Sequence, residues 1–249
     1  MPSKSKRLRV IAGPNGSGKS TIFNAINLQY YTGPFINADE IEYELKVNGE
    51  IDPFKLFQME MDPGSLARFL KGKGASWVEK AISEEGQISL KYLRGKIVTA
   101  GKSSPYDAAL CADFIRNQLL KQQSTFTFET VLSHSSKIDF LKVSQEAGYK
   151  NYIYFVCTID PAINIKRVAL RVKQGGHSVT KSRIIKRYRE SLEMLSKIIP
   201  YCYSIYFFDN SSETPCVDPI AEIDNSGQLK FYTEDLPWWM DEYVIKKLS

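Results

Sequence analysis

The string GPNGSGKST, residues 13–21, is the first stretch of this chain whose residue types and spacing define a chemistry. Gly13, Gly16, Gly18, Lys19 and Ser20 match the pattern G-x-x-x-x-G-K-[ST]. In that pattern a glycine-rich turn between a strand and a helix directs backbone N–H groups at phosphates. Lys19 supplies a point charge for the outer phosphates, and the Ser20 hydroxyl is the expected magnesium ligand. Pro14, Asn15, Ser17 and Thr21 complete the cradle. The ligands that this loop predicts are ATP and magnesium.

Two carboxylates stand where they could serve a phosphoryl transfer. Asp39, in FINADEIE, follows a short apolar run and falls at the carboxyl end of a predicted strand, the edge at which open α/β sheets bind ligands. There it could take the proton of an attacking hydroxyl. The alternative is that Asp39 and Glu40 cap a helix beginning at Ile41. Glu129, in FTFETV, ends another predicted strand, where a carboxylate is costly unless it meets a cation, a metal or a substrate hydroxyl. From residue 166 to 189 the chain holds nine Lys or Arg and no Asp or Glu. A solvated helix face usually mixes signs. RVKQGGHSVTKSR interrupts that run with Gly175, Gly176 and His177, which suggests a lid closing over phosphates. Arg167 and Arg171 are the candidates for stabilising transferred charge.

Strands alternating with helices are needed to hold these groups, and the chain reads that way. RLRVIA is a first strand, KSTIFNAINLQ the helix opened by the glycine loop, GPFINADE a second strand and STFTFETV a third. NYIYFVCTID is a nearly continuous apolar run of the kind buried on both faces, so it is expected at the centre. CYSIYFFDNS is a fifth strand, and VDPIAEIDNSGQLKFYT is a hairpin turning at Asn225–Gly227. Ser104, Pro105 and Asp107 signal a helix start. Ile184, Ile185, Tyr188, Leu192, Leu195 and Ile199 recur at helical spacing after Thr180. The expectation is an α/β P-loop NTPase with a mainly parallel five-stranded sheet flanked by helices and a C-terminal hairpin. Residues 1–249 form a single kinase-like domain in this reading, and residues 45–103 are a helical insertion or cap within it.

Composition supports a globular protein: 43% of residues are hydrophobic and 24% charged, and no apolar run approaches the length of a membrane helix. A cytoplasmic location is expected, without a membrane partner. Four cysteines at wide spacing and two histidines argue against a disulfide scaffold and against a zinc site. The net charge of +5 suits an anionic ligand and is too mild to imply nucleic acid. The loop is shared with transporter-type and chromosome-organising ATPases, but their LSGG signature is absent, as are four apolar residues followed by Asp-Glu. The nearest strings are VLSHSS and YFVCTIDP.

GPNGSGKST, NADEI, FTFETVLS and RVALRVKQGGHSVTKSRIIKRYRESLEML, in this order, resemble the zeta toxin family of P-loop kinases. The resemblance covers residues 8–44 and about 104–210. It implies ATP-dependent phosphorylation of a sugar hydroxyl on a UDP-linked amino sugar, and an antitoxin protein as partner. By position it makes Lys19 the phosphate ligand and Asp39 the base. Glu129 and Thr130 hold substrate or magnesium, and Arg167 contacts phosphate from the lid. His177 stands near the place of a second lid arginine in that family. The alternative from another class is a nucleotide-binding regulatory protein or slow ATPase acting with a nucleic-acid or protein partner.

Overall fold

The computed structural model describes residues 6–85, 87–176, 178–214 and 217–248, so the expectation for His177 lies outside the described residues. The run RLRVIA forms β1 (Arg7–Ala12), and α1 (Lys19–Gln29) begins after Gly18, whose φ of 98° lets the chain turn from loop into helix. Next come β2 (Phe35–Ile36), α2 (Ala38–Val47), β3 (Glu50–Ile51) and the helices α3 (Pro53–Phe57), α4 (Ser65–Lys71) and α5 (Ala75–Glu85). The hairpin β4 (Leu90–Leu93) and β5 (Lys96–Thr99) leads to α6 (Pro105–Lys121) and β6 (Phe126–Thr130). The order then continues with α7 (Ser136–Glu146), β7 (Lys150–Cys157), α8 (Pro161–Lys173), α9 (Lys181–Glu193), β8 (Ser204–Asp209), β9 (Ala221–Ile223) and β10 (Leu229–Phe231).

Seven strands hydrogen-bond in the order β10-β9-β8-β7-β1-β6-β2, where five were expected. β1 runs parallel to β7, β7 to β8, and β2 to β6. The physical reason for the two extra strands is the outer edge of β8. Its unpaired backbone groups need partners, and the hairpin supplies them by laying β9 antiparallel along β8. β7 is the middle strand, as its apolar run predicts, but one flank is less buried than expected. Lys150, Tyr152 and Tyr154 are half-buried while Asn151, Ile153 and Phe155 are fully covered.

The chain divides into two compact units, residues 1–32 with 129–249, and residues 33–128. In the first unit Leu8 and Val10 of β1, Ile153 and Phe155 of β7, and Ile205 and Phe207 of β8 are buried. Trp239 seals this core, its ring 5.9 Å from that of Phe155 and 6.4 Å from that of Phe207. Its neighbour Trp238 is half exposed and donates from Nε1 to the Ile159 carbonyl at 2.8 Å. Thr180 caps α9, and Ile184, Tyr188 and Leu192 are its buried face.

In the second unit α6 starts where Ser104, Pro105 and Asp107 signal it, Ser104 and Asp107 closing a capping box that the start signal does not by itself specify, and it packs Phe114 edge-on against Phe69 at 5.5 Å. Residues 45–103 hold more than helices: β3, β5 and β4 form a three-stranded antiparallel sheet. Among the described residues no helix is long and apolar enough to cross a membrane.

Candidate functional site

The phosphate loop lies between the end of β1 and the start of α1, and it opens onto a cavity of about 200 Å³. Gly16, Gly18, Lys19, Ser20, Glu129, Arg167, Val168 and Arg171 line that cavity, all in the first unit. The structure therefore brings together seven residues singled out by type and spacing alone, with Val168 added. α1 begins without a side-chain cap hydrogen bond, at the loop that lines the cavity. That is the arrangement in which a helix N-terminus receives an anion.

Lys19 is buried, with 6% of its side chain exposed, and its Nζ donates to the Pro14 carbonyl at 2.9 Å. The same Nζ lies 3.6 Å from Oε1 of Glu129. Glu129 enters from β6, where it is 17% exposed, and its Oε2 is buried without a hydrogen-bond partner. A carboxylate in this state has spare acceptor capacity directed at a cation or a donor that arrives with the ligand. Thr130, the next residue, ties β6 to the loop: its carbonyl accepts from Gly13 N at 3.2 Å, and its Oγ1 accepts from Leu132 N. The Thr130 side chain is therefore engaged in its own turn.

Arg167 and Arg171 are one helical turn apart on α8. Arg167 donates from Nη1 to the Asn210 carbonyl at 2.7 Å and from Nη2 to the Ser212 carbonyl at 2.8 Å. It thereby joins the cavity wall to the segment after β8. Next to this pair, burial holds the Asp209 carboxyl above the usual aspartate range, opposed by hydrogen bonds from Ser211 and by the charge of Arg167. Three further contacts to the loop had no sequence motif behind them. Asn164 Nδ2 donates to the Asn15 carbonyl, Asn210 Nδ2 donates to the Ser17 carbonyl, each at 2.8 Å, and Arg187 Nη1 reaches Asn15 Oδ1 at 3.3 Å. The lone available signals were an asparagine near the start of an otherwise apolar-faced helix and an Asp-Asn pair closing a strand.

Asp39 belongs to the other unit. It is an exposed residue in the first turn of α2, and the cap of that helix is Asn37, whose side chain accepts from the Asp39 amide at 2.9 Å. The alternative that Asp39 and Glu40 cap a helix starting at Ile41 is thus corrected. The helix starts at Ala38, because Asn37 is the residue in extended conformation with a side-chain oxygen over the first turn. Cys111 and Cys157 are buried free thiols, and burial pushes Cys157 up to about 12, which removes it as a nucleophile. Among the described residues no group of three or more His, Cys, Asp or Glu is placed to hold a metal.

Residues 5–202 match the family model described as an AAA domain. An uncharacterized protein of Haemophilus influenzae is 32% identical over 69 residues, which are 28% of this chain and 49% of that protein, so the match spans about half of the relative's length. Among solved structures, the native AvrRxo1-ORF1:AvrRxo1-ORF2 complex is 14% identical with a TM-score of 0.55, over 92% of this chain and 62% of that one. The same complex with ATP gives 14% identity and a TM-score of 0.52, over 92% of this chain and 61% of that one. At this identity the two structures show that the fold is shared.

Proposed function

The chain belongs to the AAA domain family, and on that premise we propose that it is an ATP-dependent phosphotransferase of the zeta toxin kind, moving the terminal phosphate of ATP to a hydroxyl of a small acceptor. The observation that carries the reading is the pairing of Lys19 with a partly unsatisfied Glu129 at the mouth of an uncapped helix. A lysine that donates to a neutral carbonyl beside a carboxylate can exchange that carbonyl for a phosphate oxygen, gaining a charge-assisted hydrogen bond. The solved AvrRxo1 complex with ATP, which shares the fold, supports ATP as the nucleotide.

The residues divide the work as follows. The loop from Gly13 to Thr21 holds the phosphates, with Lys19 on the outer ones. Arg167 and Arg171 line the same cavity and bring positive charge to it, which suits a phosphoryl transfer that spreads negative charge over equatorial oxygens. Magnesium fits here as an ion bound largely by phosphate oxygens and water, with the Ser20 hydroxyl and the open oxygen of Glu129 as protein donors. Bound there, it would neutralise phosphate charge. Asp39 takes the proton of the acceptor hydroxyl, and Glu129 and Thr130 serve the acceptor side. The acceptor is a nucleotide-linked sugar, with a UDP-linked amino sugar as the first to try, His177 adds a phosphate contact from the lid, and an antitoxin protein is the partner. These finer assignments rest on the resemblance to zeta toxins.

Asp39→Asn tests the reading. Asn37 remains to cap α2, so stability and ATP affinity stay near wild type, while turnover falls by roughly two to four orders of magnitude, the usual worth of a positioned base. Product formed at the wild-type rate would place the base elsewhere. The AAA domain match favours one second reading, a slow ATPase whose terminal phosphate goes to water. Free phosphate released at the same rate with and without every hydroxylated acceptor is the result that selects it.

A further inference from the structure

The phosphate loop takes its shape from two asparagines that lie far from it in sequence. Asn164, fully buried in α8, donates from Nδ2 to the Asn15 carbonyl at 2.8 Å, and its Oδ1 accepts from Thr158 Oγ1, which fixes which way the amide faces. Asn210, 4% exposed and directly after β8, donates from Nδ2 to the Ser17 carbonyl at 2.8 Å. It is itself held at both backbone ends, its N–H on the Cys157 carbonyl at 2.8 Å and its carbonyl under Arg167 Nη1 at 2.7 Å.

The same two residues account for two of the glycines. A Cβ on Gly16 would come within 2.6 Å of the Asn164 carbonyl oxygen, and one on Gly18 within 1.9 Å of Asn210 Nδ2. The loop is pressed against both asparagines so closely that a side chain at either position would break the contact. Every described peptide bond here is trans. In a trans peptide the carbonyl of one residue and the N–H of the next point in opposite directions. With the carbonyls of Asn15 and Ser17 tied back, the amides of Gly16 and Gly18 are turned away from the asparagines, and Gly16 and Gly18 are the two loop glycines that line the cavity.

We propose that Asn164 and Asn210 are positioning residues of the phosphate site: each pins one loop carbonyl outward so that the following amide is presented to a phosphate oxygen. The inference rests on the nucleotide-binding part of the proposed function and adds to it what orients the cradle. It also places the end of β8 and α8 in one hydrogen-bonded network with the loop through Arg167, so the loop, the strand end and the helix move as a set.

The experiment uses the full chain with Asn164→Ala and Asn210→Ala, titrated with ATP, with inorganic pyrophosphate and with adenosine, alongside thermal melting. Each variant is expected to lose about three- to tenfold in affinity for both ATP and pyrophosphate, the worth of one oriented hydrogen bond, with adenosine affinity unchanged. A role confined to stability would lower the melting temperature and leave pyrophosphate affinity of the folded protein as in wild type, and that result overturns the proposal. If Asn210→Ala does not fold, Asn164→Ala on a separate element carries the same expectation, and the volume-preserving Asn164→Asp and Asn210→Asp, which lack the donor, must show at least the same loss. A wild type that binds neither ATP nor pyrophosphate would defeat the nucleotide reading itself. Wild-type binding with unaltered variants would defeat this inference alone.

Discussion

Lys19→Met removes the loop's charge while keeping most of its side-chain volume, and its consequences can be worked from the contacts. Lys19 Nζ is 3.6 Å from Glu129 Oε1, with the two side chains 6% and 17% exposed. Opposite charges at about 4 Å attract by roughly 4 kcal/mol at an effective dielectric near 20, much of it offset by desolvation of both groups. The net worth of the pair is small, but deleting one partner leaves a mostly buried carboxylate that already has one unsatisfied oxygen. We therefore expect Lys19→Met to lose about 3–5 kcal/mol of stability. Lys19→Met with Glu129→Gln should regain most of that, since no charge is left buried. ATP affinity behaves differently. Loss of a hydrogen bond from a charged donor to phosphate is worth about 1.5–3 kcal/mol, or roughly 10- to 150-fold, and Glu129→Gln cannot restore it. Urea unfolding and calorimetric ATP titration of the wild type, both single variants and the double variant complete the cycle. Recovery of ATP affinity together with stability in the double variant would refute the reasoning, because Lys19 would then act only through the fold.

Gly18→Ala should lose at least about 1–2 kcal/mol from its left-handed backbone alone, and its Cβ against Asn210 Nδ2 should weaken ATP binding as well. Gly148→Ala, with φ 82° and open space around it, is the control: melting shifts but ATP binding does not. Arg167→Ala should lower turnover more than ATP affinity, since charge on the wall of the site acts chiefly in the transition state; steady-state kinetics beside titration reads this, and equal losses would make it a ground-state anchor. The β9–β10 hairpin has an acid limit. Lys230 first, then Ser226, hold Asp224 well below the usual aspartate range, so its contribution is present above the unfolded value near 4 and is lost as pH falls through the lower folded value. Protection of the hairpin amides, after correction for the intrinsic pH dependence of exchange, should accordingly be level from pH 7 to about 4 and fall at more acid pH, and Asp224→Asn should abolish that dependence.

The parts of the fold that local chemistry decides were legible. The helix after the glycine loop, the helix start at Ser104 and the hairpin turn around Gly227 all lie where residue types demand them. What escaped was decided by partners distant in sequence. β3 is the two residues Glu50 and Ile51, which pair with Val98 and Ile97, and neither partner leaves a mark of alternation on the other. The sheet has seven strands because an edge needed covering, a demand that no residue of the hairpin announces. At the site, motif spacing singled out Lys19 and Ser20, a strand-end carboxylate Glu129, and a run of like charge Arg167 and Arg171, all of which line one cavity. Asn164 and Asn210 left only faint marks, an asparagine near a helix start and one after a strand, since an isolated amide has no periodicity and its role appears only when a loop carbonyl is brought 2.8 Å away. The helix cap shows the same limit: Asn37, Asp39 and Glu40 are all polar, and only the turn geometry selects Asn37.

Whether the terminal phosphate reaches an alcohol or water is the central claim, and one measurement tests it most directly. The protein is incubated with magnesium, ATP labelled in its terminal phosphate and a metabolite extract, and the label is followed to its product. The account predicts label in an acid-stable organic phosphomonoester, dependent on the extract and lost in Asp39→Asn. Label recovered only as inorganic phosphate, at a rate indifferent to the extract and to Asp39, would contradict it.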